Sequence, residues 1–186
     1  MKTPYKLMLL ASLVFSFFTS SSQQQQQQTP TPETMNNHVI SKFYVIGISI
    51  RTTNANGQSA KDIETLWGKF WGEEIQKKIP NKVSDDIYAV YTDYETDYTG
   101  AYTAIVGLRV NSLENIPAGF VGLTLEKDVY QKFVSKGKMP EAVFNTWLEI
   151  WQNKNLNRAY HFDFTVHGKK YYDGDQAEVE TFISVK

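Results

Sequence analysis

Residues 88–107, "YAVYTDYETDYTGAYTAIVG", hold five tyrosines and three carboxylates between short apolar runs. The apolar and β-branched residues at both ends are typical of β-strands, and the polar segment "TDYTGA" between them predicts a hairpin turn. Because side chains alternate along a strand, Tyr91 is expected on one face with Glu95, and Tyr88 on the other with Tyr94. The sequence leaves open which face lines a binding site.

The carboxylates of this stretch resemble the start of a calcium-binding loop. Asp93, Glu95 and Asp97 follow the spacing of its first three acidic ligands. However, Tyr98 stands where the sharp turn needs glycine, and Ala104 stands where a bidentate glutamate is needed. A weaker set of metal-type side chains alternates along a later strand: His161, Asp163 and His167. Neither pattern predicts a metal site, and no other motif predicts a cofactor.

An amphipathic helix is predicted on each side of this hairpin. In residues 61–79, "KDIETLWGKFWGEEIQKKI", apolar residues recur at the spacing of one helix face. Ser59 with Asp62 approximates a capping box, and Pro80 marks the end. Residues 140–154, "PEAVFNTWLEIWQNK", repeat the pattern, with the proline at the first helical position. Each helix carries tryptophans four residues apart, which form either core or the walls of a cleft: Trp67 with Trp71 and Trp147 with Trp151.

Predicted strands surround both helices in the same order. The first half reads strand, helix, strand, strand, at residues 38–53, 61–79, 87–95 and 102–110. The second half repeats this order at residues 128–137, 140–154, 158–166 and 177–185, and a further short strand is expected at 120–125. We therefore predict an α+β fold of tandem β-α-β-β units, with an antiparallel sheet, two helices and a pseudo-two-fold cleft between the units.

The N-terminus predicts export. In residues 1–22, Lys2 and Lys6 precede the apolar run "LMLLASLVFSFF" and the small polar run "TSSS". This order is typical of a secretory signal peptide, because the apolar run is shorter than the roughly 20 residues that cross a bilayer. The alternative is that this segment is not cleaved and anchors the protein in a membrane. Residues 23–37, rich in glutamine, predict a disordered spacer before a folded domain at 38–186. We expect a periplasmic or secreted protein.

The composition narrows the set of partners. The chain has no cysteine, which excludes a lipoprotein anchor, disulfide bonds and a cysteine nucleophile. Of its 19 Lys and Arg residues, two lie in the signal segment, so 17 basic side chains oppose 20 acidic ones in the remainder. A mildly acidic chain without a basic stripe is not expected to bind nucleic acid.

Three stretches carry a family resemblance: residues 79–107, 137–151 ("GKMPEAVFNTWLEIW") and 177–185 ("AEVETFISV"). Together they resemble the gyrase-inhibitor-like (GyrI-like), effector-binding family, and most closely its integron-associated effector-binding proteins, over residues 39–186. The resemblance implies a cleft that binds amphipathic, often cationic small molecules between aromatic walls and a buried carboxylate. The same domain is fused to DNA-binding regions in transcription activators, whereas this sequence predicts an export signal and shows no such region, so a role as a transcription factor is not expected.

Glu180 is the carboxylate that the resemblance places in the cleft. The last strand of the family ends in a pattern like Glu-x-Tyr-Ile-Pro, and Phe182 and Ser184 depart from it. A solvated glutamate on a strand face is the alternative. The expected ligand-binding residues are Glu180, Tyr91, Glu95, Trp67, Trp71, Trp147 and Phe182.

Three functions are open at this point. The first is an exported binding module, not an enzyme, that senses or sequesters amphipathic and cationic organic compounds. The second is a hydrolase of strained electrophilic compounds, in which Glu180, helped by Glu95 or Tyr91, activates water. The third is a protein-interaction module like the gyrase inhibitors, with a partner that the sequence does not name. The tandem repeat and the acidic and aromatic terminal strand favour the binding module. The sequence contains no G-x-S-x-G, Walker or dinucleotide motif.

Overall fold

The structure is a computed structural model, and it describes residues 37–186. The predicted signal peptide and residues 23–36 of the predicted spacer lie outside the described residues. The strands are β1 (Asn37–Ile40), β2 (Phe43–Thr53), β3 (Lys82–Thr92), β4 (Ala101–Val110), β5 (Val121–Leu125), β6 (Asp128–Lys136), β7 (Asp163–His167) and β8 (Glu178–Ser184). The helices are α1 (Gln58–Gly72), α2 (Ile75–Lys78) and α3 (Glu141–Gln152). Between residues 37 and 186, no helix is long and apolar enough to span a bilayer.

The strands form one antiparallel sheet, curled into a half-barrel, in the order β1-β6-β8-β7-β3-β4-β2-β5. At its centre β3 pairs with β7. Outward from this pair the order is β3-β4-β2-β5 on one side and β7-β8-β6-β1 on the other. The first unit, β2-α1-β3-β4, and the second unit, β6-α3-β7-β8, therefore occupy equivalent halves, which confirms the predicted α+β fold. That the two halves arose by sequence duplication stays a prediction.

The strand predicted at residues 38–53 is two strands. β1 ends at Ile40, and β2 begins at Phe43 after Ser41 and Lys42. β1 pairs with β6 of the second unit, whereas β2 pairs with β4 and β5 of the first half. Apolar residues on both sides of the break hid it in the sequence. The short strand predicted at 120–125 is confirmed as β5.

The start of α1 differs from the predicted capping box. The helix begins after Gly57, whose φ is 70°, and no side chain caps it. Asp62, expected to pair with Ser59, instead accepts a hydrogen bond of 2.7 Å from the hydroxyl of Thr52 on β2. A left-handed glycine and a bond to the sheet thus replace the local cap.

The end of the first predicted helix is interrupted. α1 stops at Gly72, and Glu74 takes a left-handed conformation with φ of 51° before α2 begins. The turn brings Ile75 and Ile79 into the core, where both are buried. Burial of two isoleucines offsets the cost of one strained residue, so residues 37–186 contain three helices where the sequence predicted two.

The second unit follows the prediction more closely. α3 matches the predicted helix, with Pro140 just before its first residue. β7, however, is shorter than the strand predicted at 158–166. Arg158 makes only an isolated bridge to Val185, and Tyr160 has a φ of 58°, so the chain reaches the sheet in an irregular path.

The sheet buries side chains on two faces. On β3, Ile87 and Ala89 lie on the helix face, where α1 packs through Leu66 and Phe70. α3 packs on the same side of the second unit, against the end of β8. The opposite face of the sheet has a largely aromatic and β-branched core: Phe43, Val45, Tyr88, Val90, Ile105, Leu125, Tyr130 and Phe164. Successive residues of each strand alternate between these faces.

Two glycines allow β2 and β4 to approach closely. Gly47 and Gly107 are direct partners in the register of these strands. A Cβ added at either position would lie 2.7 Å from the Cα of the other, well inside van der Waals contact. The blocking atoms are backbone, so a rotamer change cannot relieve the overlap.

Gly47→Ala is therefore expected to lower the free energy of unfolding by about 1–3 kcal/mol or more, because the strands must move apart. Gly68→Ala is the matched control. Gly68 is exposed inside α1 with nothing within 4 Å of a new Cβ, so it should gain up to about 1 kcal/mol from helix propensity. Urea unfolding measures both, and equal effects of the two substitutions would contradict this account.

Candidate ligand-binding cavity

A cavity of about 690 Å³ lies on the helix face of the sheet between α1 and α3. This volume is within the roughly 300–1,000 Å³ typical of small-molecule sites. Half of its twenty lining residues are aromatic: Trp67, Trp71, Tyr91, Tyr94, Tyr98, Tyr102, Phe144, Trp147, Trp151 and Tyr171. We call it the aromatic cavity.

The helices supply the tryptophan walls. Residues four apart share a helix face, and the ring centres of Trp67 and Trp71 are 6.4 Å apart, while those of Trp147 and Trp151 are 6.1 Å apart. Trp147 is 9% exposed and lies deep, whereas Trp71 is 38% exposed and lies at the mouth. The predicted residues Trp67, Trp71 and Trp147 therefore all line the cavity.

The hairpin of the first unit supplies the floor. Tyr91 lies edge-on to Trp147, with ring centres 5.0 Å apart. Tyr94 joins it on the same side, although strict alternation predicted it beside Tyr88. The reason is that β3 ends at Thr92 and Asp93 has a φ of 51°, which reverses the alternation at that point. Tyr88 faces the opposite side of the sheet.

The tip of the hairpin closes against α3. The ring of Tyr98 stacks on Trp151 with a centre separation of 5.7 Å and an interplanar angle of 10°. The amide of Asn54 donates to the carbonyl oxygen of Tyr98 at 2.7 Å and accepts from the hydroxyl of Tyr102 at 2.9 Å. One polar side chain thus holds two wall tyrosines in place.

The acidic side chains of the hairpin have separate local partners. Glu95 forms an exposed ion pair with Arg51 at 3.2 Å. Asp97 accepts hydrogen bonds from the backbone N–H and the hydroxyl of Thr99, which lower the pKa of its carboxyl. Glu95, predicted as a ligand-binding residue, does not line the aromatic cavity.

A buried ion pair fixes the floor from behind. Arg158 donates to Asp163 Oδ2 at 2.6 Å, and the Tyr94 hydroxyl donates to the same oxygen at 2.8 Å. Both charged side chains are almost fully buried. The Arg158 guanidinium also lies 4.2 Å from the ring centre of Tyr160. Tyr94 is therefore held with its ring toward the cavity and its hydroxyl away from it.

The phenols of the floor are neutral. Burial raises the pKa of Tyr91, and burial with the nearby Asp163 carboxylate raises that of Tyr94. Neither side chain ionises near neutral pH, so each offers a ligand a π surface and not a negative charge.

His167 contributes a neutral imidazole. It lies at the end of β7, with its ring centre 4.9 Å from that of Trp67 and 5.0 Å from that of Tyr171. Its Nε2 shares a hydrogen bond of 2.9 Å with Thr165. Burial lowers the pKa of this imidazole to about 4. Its charge is therefore absent near neutral pH.

The carboxylates that line the aromatic cavity are Glu64 on α1 and Glu141 on α3. Both are exposed. Among residues 37–186, no lysine or arginine lines the cavity. The cavity is therefore aromatic in its depth and bears negative charge toward the solvent.

Glu180 does not enter the aromatic cavity, which corrects its predicted place. Val179, Thr181 and Ile183 of β8 are buried, and the alternating residues Glu180 and Phe182 point to the opposite face. Glu180 is 46% exposed and pairs with Lys132 at 3.0 Å, so it is not a buried carboxylate. The resemblance located the strand position but not its face.

Several wall residues were not predicted from the sequence. Tyr94, Tyr98 and Tyr102 stand in the opening stretch, but only the left-handed Asp93 brings the first of them to the cavity. Tyr171 follows β7 in a short 3-10 turn that no pattern indicated. For Trp151, the four-residue spacing from Trp147 was the sequence signal that could have placed it in the cavity wall.

Asp163→Asn is expected to lower the free energy of unfolding by about 3–5 kcal/mol, because it leaves Arg158 charged and buried. Glu95→Gln, which removes the exposed pair with Arg51, should cost less than about 1 kcal/mol. Chemical unfolding of both variants measures the difference. If Asp163→Asn lowers the free energy of unfolding no more than Glu95→Gln does, the buried pair does not stabilise the fold as described.

Stability should fall with acid because of His167. The unfolded imidazole binds a proton below its ordinary pKa of about 6.5, but the folded one does so only near 4. The unfolded state binds more protons in this window, so up to about 3 kcal/mol is lost as pH falls through it.

His167→Phe should flatten this part of the stability profile measured by urea unfolding. His161→Gln is the control, because His161 is 62% exposed and its pair with Asp128 contributes little. Parallel profiles for wild type and His167→Phe would show that another group causes the acid loss.

Comparison with known proteins places this geometry in a family. The family of integron-associated effector binding proteins matches residues 40–185. An integron cassette protein from the mobile metagenome of Vibrio cholerae is 29% identical, with a TM-score of 0.63 over 81% of this chain and 95% of that one. YobU of Bacillus subtilis (strain 168), provisionally named as a transcriptional regulator, is 28% identical over 144 residues, which are 75% of this chain and 90% of YobU.

A structure of SAV2435 bound to tetraphenylphosphonium shares the fold, with a TM-score of 0.68 at 18% identity over 81% of this chain and 93% of that one. The predicted family resemblance is thus confirmed by sequence and by fold. With a match that extends over nearly all the described residues, the chain belongs to the family of integron-associated effector binding proteins.

Proposed function

We propose that this protein binds amphipathic organic cations in the aromatic cavity, as a binding module without turnover. The observation that carries the proposal is the lining that the described residues provide: ten aromatic side chains, two glutamates at the mouth, and no lysine or arginine. Membership of an effector-binding family supports a small-molecule ligand. That the ligand is a cation is inferred from the aromatic rings and from the two glutamates at the mouth.

The aromatic rings favour a lipophilic cation. The face of an indole or phenol attracts a cation with about 0.5–2 kcal/mol per contact. Rings from α1, α3 and the hairpin surround the same space, so a bulky cation would contact several of them at once. That SAV2435, which has the same fold, is bound to tetraphenylphosphonium supports this choice.

The placement of the acids favours an amphipathic ligand. Glu64 and Glu141 are exposed at the mouth, while the depth holds neutral phenols and the uncharged His167. A cationic group near the mouth would retain part of its hydration and avoid the desolvation cost of a buried charge. The apolar body of the ligand would then fill the space between Trp67 and Trp147.

The hydrolase alternative finds no support in the geometry. It needs Glu180 beside Glu95 or Tyr91, but Glu180 points to the opposite face and Glu95 lies in an exposed pair with Arg51. The raised pKa of Tyr91 also excludes a phenolate helper near neutral pH. Binding without turnover is therefore the function that the site supports best.

We also propose that binding occurs outside the cytoplasm, in the periplasm or after secretion. The order of Lys2, Lys6, an apolar run and small polar residues in the sequence supports export. In that setting the protein would sequester a compound or sense it without contacting DNA. Cell fractionation with an antibody to the folded domain tests the location, and retention in the cytoplasm would contradict it.

Titration of tryptophan emission with tetraphenylphosphonium tests the binding proposal, because all four tryptophans line the cavity. A saturable change is expected. Trp147→Leu should weaken binding about 3- to 30-fold through loss of cation–π and ring contact. The double variant Glu64→Gln, Glu141→Gln should lower the affinity for the cation. Its affinity for triphenylphosphine oxide, a neutral probe of similar size, should not change.

Glu149→Gln is the matched control, because Glu149 is exposed on α3 but does not line the cavity. Its affinity for tetraphenylphosphonium should equal that of the wild type. Absence of saturation, or a loss of affinity in Glu180→Gln in place of the mouth variants, would overturn the proposal.

A further inference from the structure

A second cavity of about 310 Å³ lies on the opposite face of the sheet from the aromatic cavity. Its lining combines a guanidinium, two carboxylates and four aromatic rings: Arg109, Asp86, Glu180, Phe43, Tyr88, Phe164 and Phe182. Its volume is at the lower end of the ~300–1,000 Å³ range of small-molecule sites. The family match and the relatives assign nothing to this face.

Arg109 presents a positive charge to the second cavity. The side chain is half-buried on β4, and its guanidinium carbon lies 4.9 Å above the ring of Phe43. No ion pair among residues 37–186 includes Arg109. The ring orients the planar fork, whose N–H donors match the two oxygens of a carboxylate.

Asp86 presents the opposite charge in the same cavity. Its carboxylate accepts a hydrogen bond of 3.0 Å from Ser84, and no ion pair within the described residues includes it. The pairing of β3 with β4 shifts between Lys82 and Ile87, so neither Asp86 nor Arg109 has a regular partner in the β3–β4 ladder. Such irregularities often redirect a side chain at a binding site.

Tyr88 lines the same cavity as these charges. Burial raises the pKa of its hydroxyl, Arg109 lowers it, and both Asp86 and Glu180 raise it further. Glu180 keeps its partner Lys132, so Arg109 and Asp86 are the two charges in the cavity without an ion-pair partner.

The remaining wall is apolar. Phe43 and Phe164 are almost fully buried, with ring centres 5.5 Å apart, and Phe164 stacks on Phe182 at 4.9 Å. The half-buried side chains of Ile40, Val166 and Phe182 form the surface that a ligand can reach. This surface suits a planar or apolar side chain, not a highly charged ligand such as a phosphate ester. The second cavity therefore combines an apolar wall with a guanidinium and a carboxylate, neither of which has an ion pair among residues 37–186.

We propose that the second cavity binds an aromatic α-amino acid or a similar small zwitterion. The ligand carboxylate pairs with Arg109, its ammonium group lies between Asp86 and Glu180, and its ring rests on Ile40 and Phe182. A ligand with both charges satisfies both unpaired groups at once, whereas a ligand with one charge leaves the other unpaired. This site is independent of cation binding in the aromatic cavity.

Calorimetric titration of the full chain with L-phenylalanine tests the proposal. Phenethylamine lacks the carboxylate, hydrocinnamate lacks the ammonium group, and glycine lacks the ring. L-Phenylalanine should bind saturably and at least about tenfold tighter than each of the three, since a charged hydrogen bond is worth about a decade or more. Equal affinity for all four, or no saturable heat at millimolar concentration, would overturn the proposal.

Two variants test which side chain pairs with each charged group of the ligand. Arg109→Gln should remove the advantage of L-phenylalanine over phenethylamine, and Asp86→Asn should remove its advantage over hydrocinnamate. Arg51→Gln removes one positive charge from a site outside the second cavity and should leave the affinities unchanged. If Arg109→Gln does not fold, Arg109→Lys is the substitute. It keeps the positive charge but lacks the planar guanidinium, so its affinity for L-phenylalanine should still be lower than that of the wild type. Unchanged selectivity in the folded variants would refute the assignment.

Comparing heat with tryptophan emission also distinguishes binding in the two cavities. No tryptophan lines the second cavity, so L-phenylalanine should produce heat without the emission change that a ligand of the aromatic cavity produces. A tryptophan response that tracks the heat would place the amino acid in the aromatic cavity and contradict the proposal.

Discussion

The buried carboxylate of Asp163 joins parts of the chain that the strand ladder does not join. One oxygen accepts from Arg158 and from the Tyr94 hydroxyl, and the other accepts from the N–H and hydroxyl of Ser184. A charge with no solvent exposure is tolerated only when a countercharge and hydrogen bonds replace its hydration. The loop before β7, the hairpin of the first unit and the end of β8 are therefore fixed together. The floor of the aromatic cavity depends on this one group.

Strand alternation then decides what each side of the sheet can recognise. β3 sends Tyr91 to the helix face and Tyr88 to the opposite face, and β7 sends His167 and Phe164 in the same two directions. A register shift of one residue would exchange these sets and place charges among the tryptophans. The interruption at Asp93 matters for the same reason, because it changes the direction of the side chains that follow, and Tyr94 then lines the aromatic cavity.

The sequence predicts the elements well and their breaks poorly. The periodicity of α1 and α3, with their tryptophan pairs, was sufficient to predict both helices and three wall residues. The left-handed Glu74 and Asp93 were not predictable, because a non-glycine residue with positive φ is held by tertiary contacts and leaves no local pattern. The network around Asp163 joins residues up to 69 positions apart, so no window of the sequence contains it.

The misplacement of Glu180 has the same origin and a chemical consequence. A family pattern fixes the position of a residue along a strand, but the face depends on register, and on β8 the helix-face neighbour is the fully buried Thr181. Thr165 and His167 of β7 are likewise uncharged, and the charge of Asp163 is neutralised by Arg158. An interior without an unpaired charge is stable when empty, because no ligand is needed to offset a buried ion. For the proposed cationic ligands of the aromatic cavity, discrimination would therefore come from ring surfaces and from the acids at its mouth, which a cation would reach before it is fully desolvated.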